Sequence, residues 1–345
     1  MKNKTTIASR FSWAPVRRAP VAGVVAILLA AAILAPARAT ADAESDRLSI
    51  GVSFSFVPGV GTAATLRRAA DKPVETRLSL GLLGGGADYI AGAAFSSLLN
   101  TAREDVTGLQ AAGVANLVGG DLLGVQSSGV VNIIAGSTNA FQSAGVVNVV
   151  RGRAEGLQAA GVLNVAGESQ GIQLGVVNVS GSSDGVPIGL VSYVRDVGVM
   201  YTTWTTETGR TAVAFRTGNR RVANYLGVAY NMLDGVYPWA LVAGIGVDLV
   251  QGSALSLSMK SLVYSIYSDA FVSSGSQGSV GVVVGLNLGR RLRVFAGPTI
   301  NAFLANPGVD HDPGRWTVYE GELGSSRATV WPGATVGVRL AWREQ

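Results

Sequence analysis

A tandem motif in the middle of the chain leaves few folds open to it. Aligned on its glycines it reads Gly108-Leu-Gln110-Ala-Ala-Gly113-Val-Ala-Asn116, then Gly124-Val-Gln126-Ser-Ser-Gly129-Val-Val-Asn132, then Phe141-Gln142-Ser-Ala-Gly145-Val-Val-Asn148. Two further copies are Gly156-Leu-Gln158-Ala-Ala-Gly161-Val-Leu-Asn164 and Gly171-Ile-Gln173-Leu-Gly175-Val-Val-Asn178, and a degenerate sixth runs from Gly185 through Pro187 to Ser192. The asparagines recur after 16, 16, 16 and 14 residues. A fixed short period marks a repeat architecture in which each unit buries its face against the next.

One turn cluster, such as Gly119-Gly120-Asp121 or Gly136-Ser137-Thr138-Asn139, falls in each repeat, between extended segments of β-branched and small residues. That spacing fits the strands of a transmembrane β-meander. Read as a straight strand, the first repeat sets Gln110 and Asn116 on one face and Leu109, Ala111 and Leu117 on the other, a polar lumen against lipid. Two features favour a parallel β-solenoid instead, with a corner at the central glycine and stacked asparagines. The fifth copy is one residue shorter between Gln173 and Asn178, which flips one of them across a straight strand, and Phe141 is the only aromatic residue between Phe95 and Tyr193.

The flanks read as strands too. Before the repeats, residues 47–56 and 77–83 alternate. After them lie 17 of the chain's 24 aromatic residues, and in that stretch VMYTTWTT, RTAVAFRTG, ANYLGVAY, ALVAGIGVDLV, ALSLSMKSLVYSIY, SVGVVVGLNL, RLRVFAGPTI and the closing TVGVRLAW have the length and turn-bounded spacing of strands. The expected fold class is all-β: an outer-membrane-type antiparallel barrel of about 16–18 strands that includes the repeats, or a parallel solenoid over 107–190 joined to an antiparallel barrel or sheet. The segments divide into a signal peptide (1–39), an N-terminal β segment (40–106), the tandem repeats (107–192) and an aromatic-rich antiparallel region (193–345).

Export is read from the first forty residues. Lys2, Lys4, Arg10, Arg17 and Arg18 precede an apolar run from Val21 to Ala35 and then Ala37-Arg38-Ala39, the layout of a signal peptide cleaved near Ala39. Residues 1–39 hold six of the 27 basic residues and none of the 22 acidic ones, so the net +5 of the whole chain becomes about −1 without them. A nucleic-acid partner is therefore not expected. The expected partner is the lipid bilayer of an outer membrane, and the expected place is the outer membrane or cell surface of a Gram-negative-type bacterium.

Taken in order, GLQAAGVANL and GVQSSGVVNI, the exit DGVPIGLVSYV (Asp184 to Val194), FRTGNRR (Phe215 to Arg221), RVFAGPTINAFL (Arg293 to Leu304) and the opening SFSFVPGVGT (Ser53 to Thr62) resemble the bacterial surface-repeat outer-membrane proteins, the spirochaete-type surface-antigen repeats and their relatives. The resemblance implies an outer-membrane or surface location. It supplies no catalytic or ligand-binding residue.

Chemistry is sparse. The chain has no cysteine and a single histidine, His311, between Asp310 and Asp312. A metal site on these three is weighed against a solvated polar loop, and the loop is preferred because alternating residues of an extended segment diverge. A hydrolase triad would have to be built on His311 alone, without a nucleophile-elbow motif. The glycines at 84–86 and Gly244-Ile-Gly246 lack the helix that a phosphate loop needs, and Arg220-Arg221 and Arg290-Arg291 read as rim charges. No enzyme activity, cofactor or metal is expected. The repeated amides Gln110, Asn116, Gln126, Asn132, Gln142, Asn148, Gln158, Asn164, Gln173 and Asn178 are the candidate binding residues, lining a groove or pore, with inter-strand hydrogen bonding as the structural reading.

Overall fold

The computed structural model describes residues 46–289, 291–314 and 316–341, so the expected signal and Trp342 lie outside the described residues. Two β structures follow one another. From Leu48 to Val194 the chain winds as a solenoid, and from Met200 to Ala341 it closes as a barrel.

In the solenoid nine segments stack on the longer face: Leu48–Val57, Val74–Gly81, Tyr89–Ser96, Val106–Ala112, Leu122–Ser128, Thr138–Ala144, 154–160, Ile172–Leu174 and Val186–Ile188. On the other face Gly84–Ala87, Leu99–Ala102, Ala115–Val118, Val131–Ile134, 147–150, Leu163–Ser169, Val177–Ser183 and Val191–Val194 stack likewise. All these pairings are parallel, and like pairs with like: Gln126 with Gln110 and Gln142, Asn132 with Asn116 and Asn148. At ~4.8 Å per rung the stack is about 38 Å tall.

Glycine fixes the corner between the faces. A Cβ on Gly129 would strike the carbonyl oxygen of Gly113, and one on Gly145 that of Gly129. From Gly113 to Gly189 the coils therefore repeat glycine where the backbones approach most closely.

The all-β expectation is met in its solenoid-and-barrel form. The count of 16–18 barrel strands that enrolled the repeats is corrected, because each copy pairs in parallel with the next, at an offset of 16 residues through the first four copies and of 14 or 15 after them. The described part of 40–106 and residues 193–194 also belong to the solenoid. The short fifth copy causes no conflict, since Gln173 and Asn178 lie on different faces with the corner Gly175-Val176 between them.

The two corners differ in chemistry. One carries Phe56, Leu83, Leu98, Val114, Val130, Val146, Val162, Val176 and Leu190, one per coil, each 38–57% exposed. The other carries the charges. There Asp105 Oδ1 accepts the Asp121 N–H at 2.8 Å, Asp121 Oδ1 that of Ser137 at 2.7 Å, Ser137 Oγ that of Arg153 at 3.0 Å, and Arg153 pairs with Glu168 at 3.1 Å. A helix, Thr62–Ala70, packs on the first strands and ties to the third rung through Arg67 Nε and Asp88 at 3.4 Å.

Eight strands close the barrel: Met200–Thr206, Arg210–Gly218, Val222–Asn231, Trp239–Gln251, Leu255–Tyr267, Ser273–Leu288, Leu292–Ala305 and Ser326–Ala341. These match the eight segments of the aromatic-rich region expected to be strands. The first pairs with the last from Met200↔Ala341 to Thr206↔Thr335. A short strand, Tyr319–Leu323, adds a hairpin to the last. One rim carries both ends of the barrel chain and the tight turns 219–221, 252–254 and 289–291, while the opposite rim carries 207–209, 232–238, 268–272 and the long segment 306–318.

Candidate functional site: the ladders, the barrel lumen and the docked coil

The ten candidate amides are all inside the solenoid, 0–2% exposed. Each glutamine Nε2 donates to the Oε1 one coil earlier: Gln126 to Gln110 at 2.9 Å, Gln142 to Gln126 and Gln158 to Gln142 at 3.0 Å, Gln173 to Gln158 at 2.9 Å. Asparagine runs in the opposite sense, Asn116 to Asn132 at 2.9 Å, Asn132 to Asn148, Asn148 to Asn164 and Asn164 to Asn178 at 3.0 Å. The second hydrogen of each asparagine locks the corner, reaching Ser127 O at 2.7 Å from Asn116 and Ala159 O at 2.8 Å from Asn148. Buried and committed to one another, these residues line neither groove nor pore, which corrects that expectation. A primary amide is its own complement, with donor and acceptor on one planar group, so identical amides stack without a buried orphan. The glutamine ladder ends where Ala94 and Pro187 take its position, and there Gln110 Nε2 and Gln173 Oε1 have no protein partner. The asparagine ladder ends on Ser192 Oγ, 3.1 Å from Asn178.

The last coil presents an open strand edge, and the barrel covers it. Thr217 Oγ1 accepts the Ser192 N–H at 3.1 Å, Asn224 accepts the Gly189 N–H at 3.2 Å and donates to Pro187 O at 3.0 Å, and Asn219 Nδ2 donates to Gly185 O at 2.6 Å. Thr217 and Asn224 point outward from the barrel yet are buried, so the coil sits on the outer wall, at the rim of tight turns. An unpaired edge is a template for aggregation, and side-chain amides and a hydroxyl close this one.

The rest of the wall is mostly apolar outside. Val213, Phe215, Val228, Leu241, Val263, Val282, Ile300 and Val336 alternate with buried neighbours and are exposed. Tyr201 against Phe215 and Tyr230 against Trp239 pack on the outer wall at ring separations of 5.3 and 4.8 Å. Among the described residues no helix is long and apolar enough to cross a membrane.

The lumen is filled, as expected for eight strands. At mid-height Trp204 Nε1 donates to the Tyr264 hydroxyl at 2.8 Å, and the cavity beside them, lined by Lys260, Leu262 and Val283, is about 10 Å³, too small to hold more than one water. Toward the tight-turn rim Asp248 Oδ2 receives Arg216, Arg293 and Arg339 at 3.3, 3.5 and 3.5 Å, with Ser258 on Oδ1 at 2.7 Å. Lys260 lies over the Phe295 ring at 3.4 Å. Arg220 and Arg291 join these arginines around a vestibule of about 210 Å³ at that rim, which agrees with their reading as rim charges.

At the other rim His311 enters the barrel mouth. Its ring packs against Tyr237 at 4.8 Å and Phe303 at 5.3 Å, Nε2 donates to Asp234 at 2.9 Å, and Nδ1 accepts from the Ser274 hydroxyl at 3.2 Å. Burial holds the imidazole below its usual range against the opposing pull of Asp234. Asp310 and Asp312 turn away to Arg327, at 3.0 and 3.9 Å. No cluster of three metal-ligating side chains exists among the described residues. The contacts Ser274–His311–Asp234 form a chain that sequence spacing could not foretell, since its members come from three separate segments. Ser274 is fully buried beneath the ring, so the group acts as a latch for segment 306–318.

No protein-family model matches the chain, and no curated protein matches it. A solved structure, that of Neisserial surface protein A, is similar over 42% of this chain and 93% of its own length, at 10% identity and a TM-score of 0.26. At that identity and score the similarity says nothing about function.

Proposed function

We propose that the chain is an outer-membrane protein whose barrel anchors it in the bilayer and whose solenoid is a structural or interaction module held at one rim. The carrying observation is a closed eight-stranded antiparallel barrel with a largely aliphatic outer wall and a cluster of charged side chains, Asp248 with Arg216, Arg293 and Arg339, inside its lumen. In water such a wall would expose far more contiguous apolar surface than a monomer tolerates. Bacterial barrels keep their short turns in the periplasm and their long loops outside. By that rule the solenoid is periplasmic, and segments 232–238, 268–272 and 306–318 face outward. The filled lumen supports an anchor and argues against an open pore.

The test is heat-modifiable migration of the protein from an outer-membrane fraction, together with conductance of the purified chain in planar bilayers. A heat-sensitive, membrane-bound band without conductance is expected. Recovery as a soluble periplasmic protein would overturn the reading.

A further inference from the structure

The solenoid is amphipathic along its whole length. Its aliphatic column supplies one exposed apolar side chain per coil, from Phe56 to Leu190, while the charges gather at the opposite corner. A track about 38 Å long, at ~4.8 Å per rung, is too regular to be scattered surface apolarity.

The docking contacts orient this track. The end of the stack rests on the barrel's outer wall, so the solenoid axis leads away from the wall and not along it. Asn219, in the tight turn itself, holds Ser183 and Gly185 on the charged side. Thr217 and Asn224, paired with each other and deeper in the wall, hold Ser192 and Gly189, beside Leu190. The next outward residues deeper still are Phe215 and Leu226, both exposed and part of the apolar wall. The aliphatic corner thus meets the barrel where its apolar wall begins, and the charged corner points past the rim.

We propose that the solenoid lies on the bilayer, its aliphatic corner inserted into the phospholipid leaflet at the tight-turn rim and its charged corner in water. The occupant of the column is lipid, because the column is continuous with the wall already assigned to lipid. The proposal rests on the membrane reading of the barrel. Insertion reaches the depth of an interfacial amphipathic element, roughly 5–10 Å.

The chain has no cysteine, so single probes can be placed at will. Val146→Cys on the column, Ser137→Cys on the charged corner and Val282→Cys on the outer wall are each labelled with an environment-sensitive fluorophore. The full chain is then folded into phosphatidylcholine–phosphatidylglycerol vesicles carrying spin labels at headgroup or mid-chain depth, with heat-modifiable migration as the folding control. The Val282 probe is expected to be quenched by the mid-chain label. The Val146 probe should be quenched by the shallow label at least about twofold more than the Ser137 probe, as for an interfacial element. Equal quenching at 146 and 137 overturns the proposal while leaving the barrel in the membrane. So does a Val146 probe shielded from water but untouched by either label in particles of doubled mass, which would put a second copy on the column. An unquenched Val282 probe overturns the membrane reading itself.

Discussion

The solenoid and the barrel share a vocabulary of glycine, valine, alanine and serine, yet they distribute polarity by different rules. In a parallel stack each residue faces its own counterpart, so a side chain must tolerate a copy of itself one rung away. Amides do, and Gln and Asn fill the interior; charges stay at a corner open to water, where Arg153 meets Glu168 of the next coil. In the barrel no repeat forces a residue to face its own copy rung after rung, and even the paired Arg293 and Arg339 converge with Arg216 on a single Asp248. Pairing geometry, more than composition, decides which polar groups can be buried.

Deletion should separate the two regions most sharply. Removing residues 131–146 takes out one coil and leaves Asn116 beneath Asn148 and Gln126 beneath Gln158, so the barrel should keep its heat-modifiable migration. Removing residues 273–288 takes out one barrel strand and should abolish it. Loss of folding in both would erase the distinction.

Asp248→Ala comes next, because it strands three arginines in the lumen. Denaturant titration in detergent should register a loss of about 3–5 kcal/mol. A loss within the range of a surface substitution would show that the cluster is not a closed ion pair.

Within the ladders the middle should matter more than the end. Asn148→Ala leaves Asn164 Oδ1 and Ala159 O without their donor and should cost about 1–3 kcal/mol. Gln110→Ala removes a residue already unpartnered on one side and should cost clearly less. Equal costs would mean that the hydrogen bonds contribute little beyond packing.

The smallest expected effect is at the mouth latch. His311 has a folded pKa below its unfolded value of about 6.5, so its docking is intact above that pH and weakens as pH falls through the depressed value. Proteolysis within 306–318 should therefore rise on acidification, and His311→Gln should flatten the response. A serine-directed fluorophosphonate should leave Ser274 unlabelled; labelling would recast the latch as a hydrolytic centre.

Much of this was written in the sequence. The 16-residue period, the glycine corner and the eight strand segments of the aromatic-rich region could be read directly, and the short fifth copy already spoke against straight strands. Whether the repeats join the barrel was not legible, because Gln/Asn against Leu/Val alternates equally well for a lumen and for a coil interior. Thr217 and Asn219 stand in FRTGNRR and Asn224 just beyond it, but the segment did not disclose their task, which depends on a coil edge more than 20 residues earlier. Asp248, the one acid inside ALVAGIGVDLV, was not legible as the centre of a lumen cluster, because its arginine partners lie on three other strands.

The pairing of the repeats is tested most directly by cross-linking across one period. Two double variants, Val130→Cys with Val146→Cys and Ile133→Cys with Val149→Cys, are treated in native membranes with a short bifunctional thiosulfonate and mapped by mass spectrometry. In a parallel stack the difference between paired positions is constant, so both pairs should cross-link. In an antiparallel pair the sum is constant, so at most one can form, and that result would contradict the solenoid.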